Sequence, residues 1–422
     1  MTLSERITGH YGELETLEAA DRAEYAWSRL ERLLEKAHDD SGEFRNRLEQ
    51  AGLTLSDIGS LVDWANIPVL RKKQLIGMQS KGPRLGGLLT CDLGDLQRIY
   101  QSPGPIYDPE GSGPDYWGWA EGFFAAGFRK RDVVQMTFSY HLTPAGLMLE
   151  QPLREIGCAV IPAGPGNTDK QIELMTSLPV TGFVGMASYL RVIADKALAK
   201  GLDLKEDFSL QTAFVAAERL PESLRQGLEE DFGMLIRQGY GTADLGCIAY
   251  ECPVLGGMHV SSRCYVEICD PETHRPVPLG QTGEVVVTPY TTEYPLVRFA
   301  TGDLSYFVDG LCSCGRTAPR LGAIVGRVDD TAKVKGQFVY PSQVADVMAS
   351  YPAVVAWQIV VSNPDGRDSL ALRLQLSGEL DQGEFVKAFQ DVIKLRPALN
   401  ILQSGQVFEK GAPRLVDARV FE

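Results

Sequence analysis

"QGYGTADLG", residues 238–246, sets a tyrosine among glycines and closes on an acid and another glycine. Two readings fit it. One is a turn at the end of a strand, packed into a core. The other is a ligand loop, in which the tyrosine offers a flat apolar face and the glycine lets a ring approach the backbone. The flanking sequence favours a strand end. Short apolar runs, "VVQMTF" (133–138), "CAVIPA" (158–163), "GFVGM" (182–186), "TAFVAA" (212–217) and "GEVVVTPY" (283–290), recur along this part of the chain. Between some of them lie "DKQIELMTSL", "YLRVIADKALAK" and "ESLRQGLEEDF", which carry helical periodicity. That alternation predicts an α/β architecture with binding loops at strand ends.

At 422 residues the chain is too long for one compact core. The texture restarts after "AIVGRVDD", so a large domain over 1–326 and a small α+β domain over 327–422 are expected. Residues 11–60 read as helical, "YAWSRLERLLEKA" most clearly. A hydrophobic content of 44% and a charged content of 23% are ordinary for a globular protein. The net charge of −14 argues against nucleic acid as a partner, since counterion displacement needs lysine and arginine. No apolar run reaches the roughly 20 residues that span a bilayer, and the N-terminal residues do not pattern as a signal peptide. A cytoplasmic protein follows, with its eight cysteines as thiols or metal ligands.

Several separated stretches together resemble the phenylacetate–CoA ligase branch of the adenylate-forming enzymes. They are "QGYGTADLG", "PLVRFATGDLSYF" (295–307) with its Arg-x-x-Thr-Gly-Asp pattern, and "GRVDDTAKVKGQFVYPSQV" (326–344). "IPAGPGNTDKQIELM" and "FVAAERLPESL" match in kind and order. The resemblance runs from about residue 60 to the C-terminus. It implies a large adenylate-forming domain followed by a small mobile one. It also implies a small-molecule carboxylate and ATP (or AMP) as ligands, Mg2+, and coenzyme A as acceptor. A homodimer is compatible with it.

The resemblance assigns roles residue by residue. Asp303 would accept hydrogen bonds from the ribose hydroxyls, with Arg327 as a second ribose and phosphate contact and Asp329 as the hinge. Tyr240 and Gly241 would face the adenine, with Glu218 beside the base. Asp244 stands where the family has a magnesium-binding glutamate, one methylene shorter. The bland readings are a turn aspartate for Asp303, a solvated linker for Asp329, and a helix-start charge for Glu218. Tyr140 and His141 in "SYHLTPAGL" and Tyr189 in "GMASYL" are candidates for the carboxylate pocket, or ordinary structural residues. "ECPVLGGMH" and "LCSCGR" supply Cys252, His259, Cys312 and Cys314, a donor set suited to a closed structural Zn2+ site, or else buried thiols beside an unrelated histidine.

Two stretches depart from the family. "SPGPIYDP" (102–109) stands at the phosphate loop and keeps Ser102, Gly104 and Pro109, but prolines remove backbone N–H donors and Asp108 replaces a lysine. "EKGAPRLVDARV" (409–420) places Lys410 one position before the adenylation lysine. The groups for adenosine are kept and those for the outer phosphates are weakened. The leading expectation is an adenylate-forming carboxylate ligase. The alternatives are an acyl or acyl-adenylate handling enzyme that does not cleave ATP, and a non-catalytic binding protein.

Overall fold

The structure, a computed structural model, describes residues 3–102, 106–328, 331–334, 337–364, 368–403, 406–409 and 412–419. Gly104, Asp329 and Lys410 lie outside the described residues. The chain forms two compact units, residues 1–301 with 306–323, and residues 302–305 with 324–422.

The first unit is built on a nine-stranded sheet. Its parallel half runs in the order Ala159–Pro162, Val133–Met136, Gly182–Gly185, Thr212–Val215, Leu235–Thr242. Helices Ala145–Ile156, Thr168–Ser177, Ala187–Ala199 and Glu222–Phe232 make the crossovers. These strands are short and apolar because both faces are covered: Gly182–Gly185 and Thr212–Val215 are buried at every position. Gly157 and Gly233 end two of the helices at φ of 97° and 68°, a conformation that only glycine takes without strain.

From Leu235–Thr242 onward the sheet turns antiparallel, through Gly246–Glu251 and Met258–Val260. "GEVVVTPY" does not join the alternating α/β part. Gly283–Pro289 pairs antiparallel with Cys264–Cys269 in a second sheet, and in that sheet Leu70–Arg71 lies parallel to Phe299 and Ala300. Arg298, of the Arg-x-x-Thr-Gly-Asp pattern, is 1% exposed and forms a two-pronged pair with Glu267 at 2.9 and 3.1 Å. It also donates to the carbonyls of Ala65, Ile67 and His274. The helical expectation for residues 11–60 corresponds mainly to Ala19–Asp40 and Gly42–Gln50, whose Leu30, Leu33, Leu34, Phe44 and Leu48 share one core with Trp64.

The second unit has a four-stranded sheet in the order Ala398–Ile401, Ser369–Leu376, Val354–Ser362, Leu415–Asp417. Helices Pro341–Ala349 and Gln382–Ile393 pack their apolar residues, Val344, Phe385 and Phe389 among them, onto its core. Asp381 caps the second helix by accepting from the N–H groups of Gly383 and Glu384.

Candidate functional site

Five parallel strands end along one edge of the first unit, and the loops there carry most of the candidate residues. Open parallel sheets bind ligands at this carboxyl edge. The loop after Met136 holds Tyr140 and His141. The one after Pro162 leads to Asn167, that after Gly185 leads into the helix Ala187–Ala199 whose first turn carries Ser188 and Tyr189, and that after Val215 carries Glu218. The turn after Thr242 carries Asp244.

Local packing explains the turn at 238–246. Asp115 accepts from the backbone N–H groups of Trp119 and Ala120 at 2.8 and 3.0 Å and so fixes Trp119. The indole meets Phe214 edge-on, with ring centroids 5.9 Å apart. A Cβ on Gly241 would lie 2.2 Å from the Gly246 carbonyl oxygen and 2.6 Å from the Trp119 ring. Glycine is therefore required at 241 by close packing. Tyr240 is half-buried, and its hydroxyl lies 3.3 Å from the hydroxyl of Thr301, in the same Thr-Gly-Asp segment as Asp303.

Glu218 has structural work at the strand edge. Its carboxylate accepts from the Ser188 N–H at 2.7 Å and the Ser188 hydroxyl at 2.8 Å, at the start of helix Ala187–Ala199. Ala217, just before it, sits at φ 70°, a strained value for a residue with a Cβ. Tyr189 donates to the carbonyl of Gly166 at 2.7 Å, which joins two neighbouring strand-end loops. His141 is exposed, while Tyr140 is half-buried and its phenol is pushed up by burial and by Glu150.

The phosphate-loop position is an antiparallel hairpin, Arg98–Ser102 with Ile106–Glu110, in the register Tyr100 to Asp108 and Ser102 to Ile106. Glu110 is 1% exposed and takes Arg98 at 2.6 Å and the Tyr100 hydroxyl at 2.5 Å. Asp108 is also buried, accepts from the Ser102 hydroxyl and faces Asp244. Burial first, then the Asp244 charge, pushes its carboxyl up to about 7. Asp244 has a side chain only 2% exposed. Its Oδ2 accepts from Lys72 Nζ at 2.9 Å, and its Oδ1 is buried. Ser102 and Asp244 thus belong to one cluster with Asp108 and Lys72. Lys72 was not singled out in the sequence: "LRKKQLI" carries no local sign of a contact 172 residues away.

In the second unit Asp303 and Arg327 stand opposite each other across paired strands, and their side chains form an ion pair at 2.9 Å. Gly302, at φ 81°, lets the guanidinium lie close: a Cβ there would come within 2.9 Å of Arg327 Nη2. The two residues expected at the ribose are therefore held together.

Cys252, His259, Cys312 and Cys314 converge, with their ligand atoms all within 4.8 Å of one another. The Sγ atoms of Cys252 and Cys312 are 3.6 Å apart, and Cys314 Sγ is 3.4 Å from His259 Nε2. Tetrahedral zinc with bonds of about 2.3 Å to sulfur separates its donors by roughly 3.8 Å, so the set fits. His259 Nδ1 lies 3.3 Å from the Ala318 carbonyl oxygen, which as acceptor would fix the tautomer leaving Nε2 free for a metal. The Cys314 thiol is held well below the ordinary range by Cys252, then by His259, against the opposing effect of burial. Cys91, Cys158, Cys247, Cys264 and Cys269 are free and, Cys91 apart, buried. No helix among the described residues is long and apolar enough to cross a membrane.

Residues 119–292 match the family model for AMP-binding enzymes. The phenylacetate–coenzyme A ligase of Thermus thermophilus is 30% identical over 378 residues, covering 86% of this chain and 84% of that enzyme. The Pseudomonas putida phenylacetate–coenzyme A ligase is 29% identical, over 88% and 87% of the two chains. An open form of 2-hydroxyisobutyryl-CoA ligase, solved with 2-HIB-AMP and CoA, superposes with a TM-score of 0.85 at 24% identity, covering 96% of this chain and 93% of that one. A likeness at that identity bears on the fold, which is that of the acyl-CoA ligases. With the sequence match spanning most of both chains, the protein belongs to the phenylacetate–coenzyme A ligase family of AMP-binding enzymes.

Proposed function

We propose that this protein is an adenylate-forming carboxylate ligase acting on an aryl or similar small acid, with coenzyme A as acceptor. A substrate carboxylate oxygen attacks the α-phosphorus of ATP, and pyrophosphate leaves to give an acyl-adenylate. The thiol then attacks the acyl carbon, AMP leaves, and a thioester is formed. The observation that carries this reading is the turn at 238–246 on the carboxyl edge of the parallel strands. There Tyr240 and Asp244 stand beside the Glu218 loop in a chain of this family.

In this reading the first unit binds nucleotide and acid, and the small C-terminal unit moves between the two half-reactions. Tyr240 and Gly241 line the adenine, with Glu218 acting through the Ser188 loop it holds. Asp303 accepts from the ribose hydroxyls once Arg327 shifts toward the phosphates. A charge-assisted bond of this kind is roughly twice as strong as a neutral one. Asp329 serves as the hinge and Lys410 approaches the reacting carboxylate. Tyr140, His141 and Tyr189 border the acid. Ser102 and Gly104 border the phosphates, and Asp244 offers its second oxygen to Mg2+ or to a water of its shell. Zn2+ at Cys252, His259, Cys312 and Cys314 would be structural, since four protein ligands leave no open position. Reduced, metal-binding thiols suit a cytoplasmic enzyme.

One observation favours the second reading, an acyl-adenylate handling enzyme that does not cleave ATP. Asp108, at the phosphate-loop position, faces a second acid, Asp244. Carboxylate-dependent exchange of labelled pyrophosphate into ATP separates the two. Exchange with at least one aryl acid is expected. Its absence across a broad acid panel, with AMP but not ATP raising the melting temperature, would establish the second reading instead.

A further inference from the structure

The lysine missing from the hairpin loop leaves a question of charge. A triphosphate needs a cation at this place, and both acids of the cluster oppose it. The side chain that answers comes from elsewhere in the chain. Lys72 is the first residue of helix Lys72–Lys81, and its ammonium reaches Asp244 at 2.9 Å. It also lies near enough to Asp108 for its charge to counter the effect of Asp244 on that carboxyl. The pair is asymmetric. Asp244 is 2% exposed and Lys72 39% exposed. The carboxylate is thus a buried anchor, and the ammonium stands at the surface of the cluster, where an anion can reach it. An ammonium has three N–H donors, and Asp244 takes one. The anchor also fixes a side chain that would otherwise lose much rotamer freedom on binding a ligand.

We propose that Lys72 is the residue that contacts the outer phosphates of the nucleotide, replacing the lysine that the 98–110 hairpin lacks, with Asp244 as its positioning residue. The proposal rests on the adenylate-forming reading. It adds a binding residue drawn from outside the loop, and it gives Asp244 a partner that is not a metal ion. No covalent step is assigned to Lys72.

The test is equilibrium binding of AMP and of α,β-methylene-ATP, without Mg2+, to the full-length protein and two variants, with thermal unfolding as a check on folding. Lys72→Ala should weaken the triphosphate analogue at least tenfold and change AMP less than twofold. Asp244→Asn removes the carboxylate that holds the ammonium, so the analogue should again bind more weakly, with AMP changed less than twofold. Equal effects of Lys72→Ala on both nucleotides, or none on either, would overturn the proposal, as would unchanged or tighter analogue binding by a folded Asp244→Asn. A wild-type protein that binds AMP but not the analogue would overturn it too while leaving the nucleotide site standing. A wild-type protein that binds neither would remove the adenylate-forming reading itself.

Discussion

Glu121 shows how a single side chain in this protein couples burial to pH. It lies in the core and accepts from the Ser262 N–H at 3.0 Å and from the Ser262 hydroxyl. Burial pushes its carboxyl from 4.5 up to about 7. Between those values the folded chain keeps a proton that the unfolded chain has released, so stability falls as pH rises through this window. The group's share is on the order of 3 kcal/mol. Asp115, raised by burial to about 6, acts in the same direction. Glu121→Gln should flatten the decline between pH 5 and pH 8 in denaturant titrations, and an unchanged slope would contradict the assignment. Arg298 gives a second prediction at this scale. Its guanidinium satisfies Glu267 and three carbonyls deep in the second sheet. Arg298→Ala should cost about 3–5 kcal/mol, because the buried Glu267 carboxylate loses its paired cation. A loss under 1 kcal/mol would show that Glu267 finds other compensation. The sequence pattern drew attention to the Thr-Gly-Asp end of that motif. Its arginine is a structural tie, and nothing local in "VRFATGDL" distinguishes the two roles.

At the scale of elements, the parallel strands were legible because each is a short apolar run bounded by turn residues and followed by helical periodicity. The hairpin at 98–110 was not. Asp108 stands where the family has a lysine, yet its side chain turns inward to Ser102 and Asp244. Only the strand pairing reveals that. Glu218 was similarly opaque: it serves as acceptor for the first turn of a helix that begins 31 positions earlier in the chain. The convergence of Cys252, His259, Cys312 and Cys314 was legible from residue type, but its surroundings were not. Arg316, two residues after Cys314, donates to Glu15 at 2.5 Å, and His10 Nε2 lies 3.3 Å from the Cys314 carbonyl oxygen. Tyr250 also donates to Glu15, at 2.9 Å. The segment 9–17 is therefore fastened to the cysteine loop. Zinc at one equivalent per chain is the expected elemental content. Its removal by a strong chelator should lower the melting temperature and expose residues 9–17 to limited proteolysis. Protein that contains no metal when purified without chelator, or a cleavage pattern unchanged by chelation, would count against the site.

For the whole molecule, the proposed chemistry runs in two steps. The first unit carries the turn at 238–246 and the cluster around Lys72 and Asp244, and the second carries the Asp303–Arg327 pair. An acyl-adenylate is a reactive mixed anhydride, and two-step chemistry is useful only if the second acceptor meets it before water does. That requirement, together with family membership, makes complete turnover the central claim. The direct measurement is a product balance with an aryl acid, ATP and coenzyme A in stoichiometric amounts. The account predicts one AMP, one pyrophosphate and one acyl-CoA thioester per acid consumed, with acyl-AMP accumulating when coenzyme A is withheld. Release of ADP and phosphate, or no acid-dependent consumption of ATP across a broad panel of carboxylates, would contradict it.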